Sequence, residues 1–259
     1  MKKLILILLL FTVLHSSQSF ASEFCFIAKE NDKILKIEGD CSKRYAPEST
    51  FKIPLSLMGF DSGILKSENN PIWRFKEGYV DWRDAWKQDQ TPQSWMKESC
   101  VWYSQVLTKQ LGIEKFDNYV KKFSYGNMDI SGGLTNAWLS NSLQISPHEQ
   151  IEFIQKVLDH KFPISNESYD KTKNIMFIQE MAGGWKLYGK TGSGRQFDKN
   201  GNKTELQHGW FVGYIEKGSN SIVFASHIAD NRKEKASASF RARNDALIKL
   251  WYLIDELEK

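Results

Sequence analysis

The chain has little of what holds metals. Its 259 residues contain five histidines and three cysteines. His148, His160, His208 and His227 are scattered and show no His-x-His or comparable ligand spacing. A metallo-hydrolase is therefore disfavoured and no metal is expected, because zinc needs three or four side chains that converge on it. An excess of charge of one sign is also lacking: the formal net charge is +4. The densest basic group, Arg232, Lys233 and Lys235 around Glu234, reads as a solvated loop. Nothing in this pattern points to a nucleic-acid partner. Beyond the first residues no run is apolar enough to span a membrane, which takes about 20 residues. Internal repeats and low-complexity linkers are absent as well.

What is present begins with Lys2 and Lys3, the apolar run Leu4 to Leu14, and Ser19-Phe20-Ala21. This is the layout of a secretory signal, residues 1–21, cleaved after Ala21. Its removal lowers the net charge from +4 to +2. The expected product is one catalytic domain, residues 22–259, exported and free of the membrane. At 41% hydrophobic and 25% charged residues it is ordinary globular protein, long enough to bury one sizeable core or two packed lobes. Export makes the cysteines worth counting. Cys25 and Cys41 flank an apparent hairpin and could bridge, closing a loop worth about 3 kcal/mol. Cys100 lies in an apolar stretch and reads as a buried free thiol.

The apolar segments Phe24 to Ala28 and Ile34 to Ile37, separated by Glu30-Asn31-Asp32-Lys33, predict a β-hairpin. Helical spacing runs from Ser49 to Leu65, then over Pro92 to Leu111, Ile113 to Phe123 and Pro147 to His160. Near Gly183 the pattern changes. Trp185 to Lys190, Gln207 to Ile215 and Ser221 to Ile228 predict three antiparallel strands, with Asn200-Gly201 as a hairpin turn. Ala246, Leu247, Leu250, Trp251, Ile254 and Leu257 predict a closing helix of about four turns. The fold class is therefore α+β: one antiparallel sheet built from both termini, flanking helices and a mainly helical middle lobe.

A serine hydroxyl needs a base, and a lysine three residues later on a helix lies on the same face within reach. Ser49-Thr50-Phe51-Lys52 supplies that pair, but Ser94 to Lys97 and Ser168 to Lys171 also match Ser-x-x-Lys. Context selects the first. Ser49 sits where a helix begins, so its backbone N–H is free to meet an oxyanion, and its flanks Phe51, Ile53, Leu55 and Leu57 are apolar. Pro54 is awkward so early in a helix. As a base Lys52 must be neutral, which requires burial to lower its pKa by about three units. A neutral buried amine can also add carbon dioxide. Lys190-Thr191-Gly192-Ser193-Gly194, at a strand end, offers a cation, a hydroxyl and a backbone N–H to a bound carboxylate and oxyanion. Ser99-Cys100-Val101 offers a hydroxyl for proton transfer.

Ser49-Thr50-Phe51-Lys52, Ser99-Cys100-Val101, Tyr125-Gly126-Asn127, Trp138-Leu139 and Lys190-Thr191-Gly192 occur in the order and at about the spacing found in class D β-lactamases, the oxacillinases. The chain resembles that family over essentially all of residues 22–259. The resemblance implies the serine β-lactamase and DD-peptidase-like fold and hydrolysis of penicillins of the oxacillin type, with some cephalosporins as further candidates. Resistance to β-lactams and a periplasmic location follow from it.

It also implies that Ser49 forms the acyl-enzyme and that Lys52, carboxylated to N6-carboxylysine, is the general base. Trp138 would hold the carbamate through its indole N–H. Ser99 would relay a proton to the lactam nitrogen, and Val101 and Leu139 would keep Lys52 dry. Lys190 and Thr191 would bind substrate, with the N–H groups of Ser49 and Ser193 as oxyanion hole, and Tyr125-Gly126-Asn127 a structural loop. No cofactor is implied beyond carbon dioxide or bicarbonate for Lys52. For the substrate carboxylate Arg243 is preferred over Arg241. Monomer and homodimer both stay open. The rivals are a penicillin-binding protein acting on peptidoglycan D-Ala-D-Ala ends and a β-lactam sensor that remains acylated.

Overall fold

The computed structural model describes residues 22–259; the signal assigned to residues 1–21 lies outside them. The predicted hairpin forms from Glu23–Glu30 (β1) and Lys33–Gly39 (β2). The later strands are Phe177–Glu180 (β3), Lys186–Phe197 (β4), Lys203–Lys217 (β5) and Asn220–Ala229 (β6). They make one sheet in the order β2-β1-β6-β5-β4-β3, every neighbour antiparallel. The first strand thus pairs with the last, Ile27 opposite Ala225, and the sheet is assembled from both ends of the chain as expected. β1 is buried over Cys25 to Ala28, whereas β2, at the edge, is exposed or half-buried along its length.

Six helices come from the middle of the chain: Lys52–Asp61 (α1), Pro92–Glu98 (α2), Val101–Leu111 (α3), Ile113–Lys122 (α4), Pro147–Leu158 (α5) and Asn166–Met176 (α6). They bury one face of the sheet under a large core that includes Phe51, Leu55, Trp95, Trp102, Phe116 and Trp138. Ala238–Leu257 (α7) covers the opposite face over a second core of Phe26, Phe211, Phe224, Ala246 and Leu250. The sheet is therefore sandwiched between two helical layers.

Several boundaries differ from the sequence-based expectation, for physical reasons. α1 stops at Asp61, because the chain turns at Gly63 with φ +71. Pro54 is its third residue, in the first turn, where backbone N–H groups have no partner inside the helix. The single helix expected over Pro92 to Leu111 is two, broken by Ser99 in the left-handed region (φ 62, ψ 29) and by Cys100. α6 and β3 escape prediction. α6 is strongly polar and buries Ser168 and Thr172 beside Tyr169 and Ile175. α7 begins eight residues before Ala246, since its first two turns bury Ala238, Ser239 and Ala242, side chains with little apolar signal. Gly209 on β5 makes room for that start: a Cβ there would meet the Ser239 nitrogen at 2.1 Å.

Cys25 and Cys41, 16 residues apart, are joined by a disulfide that ties β1 to the chain leaving β2. Closing a loop of that length restricts the unfolded chain by about 3 kcal/mol. Replacing both cysteines by alanine is expected to lower Tm by roughly 6–12 °C in a chain of this size. Thermal unfolding followed by circular dichroism checks this, with turnover at 25 °C retained.

Candidate active site

Ser49 lies in a short 3-10 turn, Glu48–Phe51, that runs into α1. Glu48 has φ +52, a costly conformation for a residue with a side chain. It is held by its N–H donating to the Trp138 carbonyl at 3.0 Å, and by the Thr50 N–H and hydroxyl both donating to the Pro47 carbonyl at 3.0 and 2.6 Å. β4 closes in from the other side. A Cβ at Gly192 would sit 2.8 Å from the Pro47 oxygen and 3.2 Å from the Ser49 nitrogen, so only glycine permits this approach. The Lys-Thr-Gly segment and the serine turn are thereby brought into contact.

One turn into the core, Lys52 is 1% exposed and its Nζ has no hydrogen-bond partner among the described residues. Nζ lies 5.8 Å from the Trp95 ring centroid. Burial outweighs the opposing influence of Cys100 and Glu48 and pushes the Lys52 pKa down to about 7. The neighbouring Cys100 is a buried free thiol, pushed up to about 11 by the same loss of water, so it stays protonated near neutral pH. Val101 is buried at the start of α3 and Leu139 packs half-buried against the same core. Trp138 is fully buried and stacks on Phe51, 5.4 Å between ring centroids.

The break between α2 and α3 presents Ser99. Lys190 reaches it from β4: its Nζ donates to Ser99 Oγ at 2.7 Å and to the Thr191 carbonyl at 3.0 Å. Burial, and then the cations Lys52, Arg83 and Arg243, hold the Lys190 pKa well below the ordinary lysine value. Ser193 turns its hydroxyl to Ser239 of α7 at 2.6 Å, so any part it plays beside Ser49 falls to its backbone. Tyr125-Gly126-Asn127 forms a tight loop. Asn127 Nδ2 donates to the Ser142 carbonyl at 2.8 Å, and a Cβ at Gly126 would meet the Gln144 oxygen at 2.0 Å.

The two arginines separate. Arg241 is committed to Asp230, with Nη2 at 2.6 Å from a carboxylate whose side chain is fully buried. Arg243 instead lines a cavity of about 330 Å3 together with Lys190 and Thr191, and its Nε is buried without a partner. Arg243, Lys190 and Thr191 thus share one cavity, whereas Arg241 is withdrawn from it.

Sequence reasoning missed a buried polar group behind Ser49. Glu48 accepts a hydrogen bond from Ser140, lies 3.3 Å from His208 Nε2, and His208 Nδ1 in turn lies 3.3 Å from His227. Gly194 is bare for the sake of this pair, since a Cβ would come within 2.2 Å of Glu48 Oε1 and 2.4 Å of His208 Nε2. Burial, with His208 beside it, keeps His227 neutral well below the ordinary histidine pKa. The only signal lay in Glu48 standing next to Ser49 and in the glycine of Ser193-Gly194.

A serine at the head of a helix, a dry lysine one turn later, and a second lysine crossing to a serine at the break between two helices form an arrangement suited to serine acyl transfer, on a sheet with helices on both faces. The penicillin binding protein transpeptidase domain matches residues 25–247. β-Lactamase OXA-9 of Klebsiella pneumoniae is 43% identical over 220 residues, covering 82% of this chain and 80% of the relative. The crystal structure of OXA-427, a class D β-lactamase, superposes with a TM-score of 0.85 at 40% identity, over 90% of this chain and 99% of that one. The C-terminal domain of the Bacillus licheniformis BlaR penicillin-receptor superposes with a TM-score of 0.79 at 32% identity, over 89% and 90%. The chain belongs to the transpeptidase-domain family and, within it, to the class D serine β-lactamases.

A lysine held at about 7 in the folded protein and near 10.4 in the unfolded chain disfavours folding most at and below pH 7. That cost fades as pH rises toward 10.4, where both states are neutral. Lys52→Met is therefore expected to abolish turnover yet raise Tm, with a gain of a few kcal/mol at pH 6–7 that shrinks by pH 10. Melting curves across that range check it.

Proposed function

We propose that the chain is exported to the periplasm and opens β-lactam rings there through a Ser49 acyl-enzyme, with the base for both half-reactions carried on Lys52. The observation that supports this most is the Lys52 amine, buried, unpartnered and one turn from Ser49. A neutral amine so placed can add carbon dioxide and release one proton. The carbamate that results supplies a negative charge and proton-accepting oxygens, and the residues present suit it: Trp138 brings a donor-only indole, and Val101 and Leu139, buried and half-buried in the larger core, would add apolar cover.

The chain's own groups then act in order. Ser49 Oγ gives its proton to the base on Lys52 and bonds to the lactam carbonyl carbon, whose oxygen is met by the N–H groups of Ser49 and Ser193. As the carbon–nitrogen bond breaks, Ser99 passes its hydroxyl proton to the ring nitrogen and recovers the proton that the base on Lys52 took from Ser49, which frees the base for deacylation, with Lys190 at 2.7 Å steadying the Ser99 hydroxyl. Lys190, Thr191 and Arg243 hold the substrate carboxylate throughout. Water activated by the same base then releases Ser49. Hydrolysis of this kind removes the antibiotic and gives resistance.

The similarity to a penicillin receptor favours one alternative, a domain that acylates and stays acylated. Turnover of a chromogenic cephalosporin by residues 22–259 decides. The expected result is multiple turnover that rises with added bicarbonate and falls at least tenfold in Trp138→Ala. A single stoichiometric burst would instead identify a sensor. Turnover indifferent to bicarbonate and to Trp138→Ala would remove the carbamate. Bicarbonate is further expected to raise the Tm of the native protein but not that of Lys52→Met, since only a folded site binds it.

A further inference from the structure

The buried side chain of Glu48 lies along β4 and spans one residue of that strand. A Cβ on Gly192 would lie 3.2 Å from Glu48 Cβ, and a Cβ on Gly194 would lie 2.2 Å from Glu48 Oε1. The residue between those two glycines is Ser193. Its N–H and that of Ser49, the residue after Glu48, are the two donors assigned to the oxyanion. One side chain therefore packs against both neighbours of one donor and is joined through the backbone to the other.

The tip of that side chain is fixed from the next strand. His208 stands opposite Gly194 in the β4–β5 register, and its Nε2 lies 3.3 Å from Glu48 Oε1. The same oxygen accepts from the Ser140 hydroxyl. One set of proton positions satisfies the whole group: His227 Nε2–H donates to His208 Nδ1 at 3.3 Å, and His208 Nε2–H donates to Glu48. Both imidazoles are buried, and Tyr45 covers them, its ring centroid 4.0 Å from that of His227 and 5.8 Å from that of His208. The chain ahead of the turn is tied down as well, by the Trp210 indole donating to the Ala46 carbonyl at 2.9 Å. A buried carboxylate met by oriented donors in this way is held in one place.

Resting on the reading of Ser49 as an acylated nucleophile, we infer that Glu48 is a positioning residue: its side chain, clamped by His208 and Ser140, sets the separation and aim of the Ser49 and Ser193 N–H groups at the developing oxyanion. It makes and breaks no bond and acts only through those two donors. Loosening them leaves Lys190, Thr191 and Arg243 in place for the substrate carboxylate. The first binding step is then spared, while both half-reactions, each passing through an oxyanion, slow down.

The test is single-turnover acylation of residues 22–259 by a chromogenic cephalosporin, which separates the initial dissociation constant from the acylation rate constant. Glu48→Ala is expected to lower the rate constant roughly ten- to a hundredfold while the dissociation constant stays within about threefold. Glu48→Gln keeps an oxygen that accepts from Ser140 and His208, and is expected to recover to within about fivefold of the native rate. Glu48→Gly frees the backbone from its costly φ but is not expected to recover, because the spacer is gone. His208→Ala, which leaves the turn itself unaltered, is expected to cost about three- to tenfold alone and almost nothing more on top of Glu48→Ala, since both act through one contact. Weaker donors to the ester oxygen raise the infrared carbonyl stretch of the acyl-enzyme, so that band is expected at higher frequency in Glu48→Ala. A native rate constant in Glu48→Gly, a dissociation constant that rises as far as the rate falls, additive losses in the double variant, or an unmoved carbonyl band would overturn the positioning role alone. A native protein that forms no acyl-enzyme would overturn the reading of Ser49 and this role with it.

Discussion

Everything at this site depends on keeping water away from one amine. Lys52 is a cation by nature, and no carboxylate, carbonyl or hydroxyl reaches its Nζ. The protein leaves it unsatisfied in the middle of its larger core, where a polar atom without a partner is normally excluded. Under the proposed mechanism the cost has a use, because a lysine at about 7 is largely neutral near that pH and able to add carbon dioxide, while one in water is not. Trp95, whose ring centroid lies 5.8 Å from Nζ, belongs to the large apolar core whose low dielectric shifts the amine.

Geometry then brings a dry lysine and a wetter serine within one helical turn. The strained Glu48 turn does this by leaving Ser49 half-exposed while Thr50, Phe51 and Lys52 go inward. Its position is fixed by the Trp138 carbonyl on one side and by the bare face of Gly192 on the other. The carbonyl that pins the turn belongs to Trp138, whose ring stacks on Phe51 of the same turn, so the loop through Trp138 holds the turn by backbone and side chain alike. The Glu48–His208–His227 group lies behind the same turn, a buried carboxylate satisfied by Ser140 and a histidine and insulated from the solvent side of the sheet.

Much of this was legible in the sequence, and unevenly so. The strands other than the short β3 announce themselves by apolar, β-branched and aromatic runs, and the later half of α7 by large apolar residues at helical spacing. The Ser-x-x-Lys pair was one of three equal matches until apolar flanks singled out Ser49. The start of α7 was hidden because alanine and serine pack there against Gly209, and α6 because its buried side is largely hydroxyl groups. The left-handed Ser99, which splits α2 from α3 and turns its hydroxyl to Lys190, left no pattern, since helical spacing continues on both sides of it. Spacing from Ala246 favoured Arg243 over Arg241 without excluding the latter. It took the buried Asp230, a long-range partner, to remove Arg241 from contention.

The central claim is that the Lys52 amine is neutral at working pH because it is dry. Carbon-13 NMR of protein labelled at the lysine Cε, in carbonate-free buffer, reads that amine directly, with its signal assigned by its loss in Lys52→Met. The account predicts one lysine resonance titrating with a midpoint about 7, set apart from the remainder near 10.4. A Lys52 resonance that titrates with the bulk lysines would contradict it.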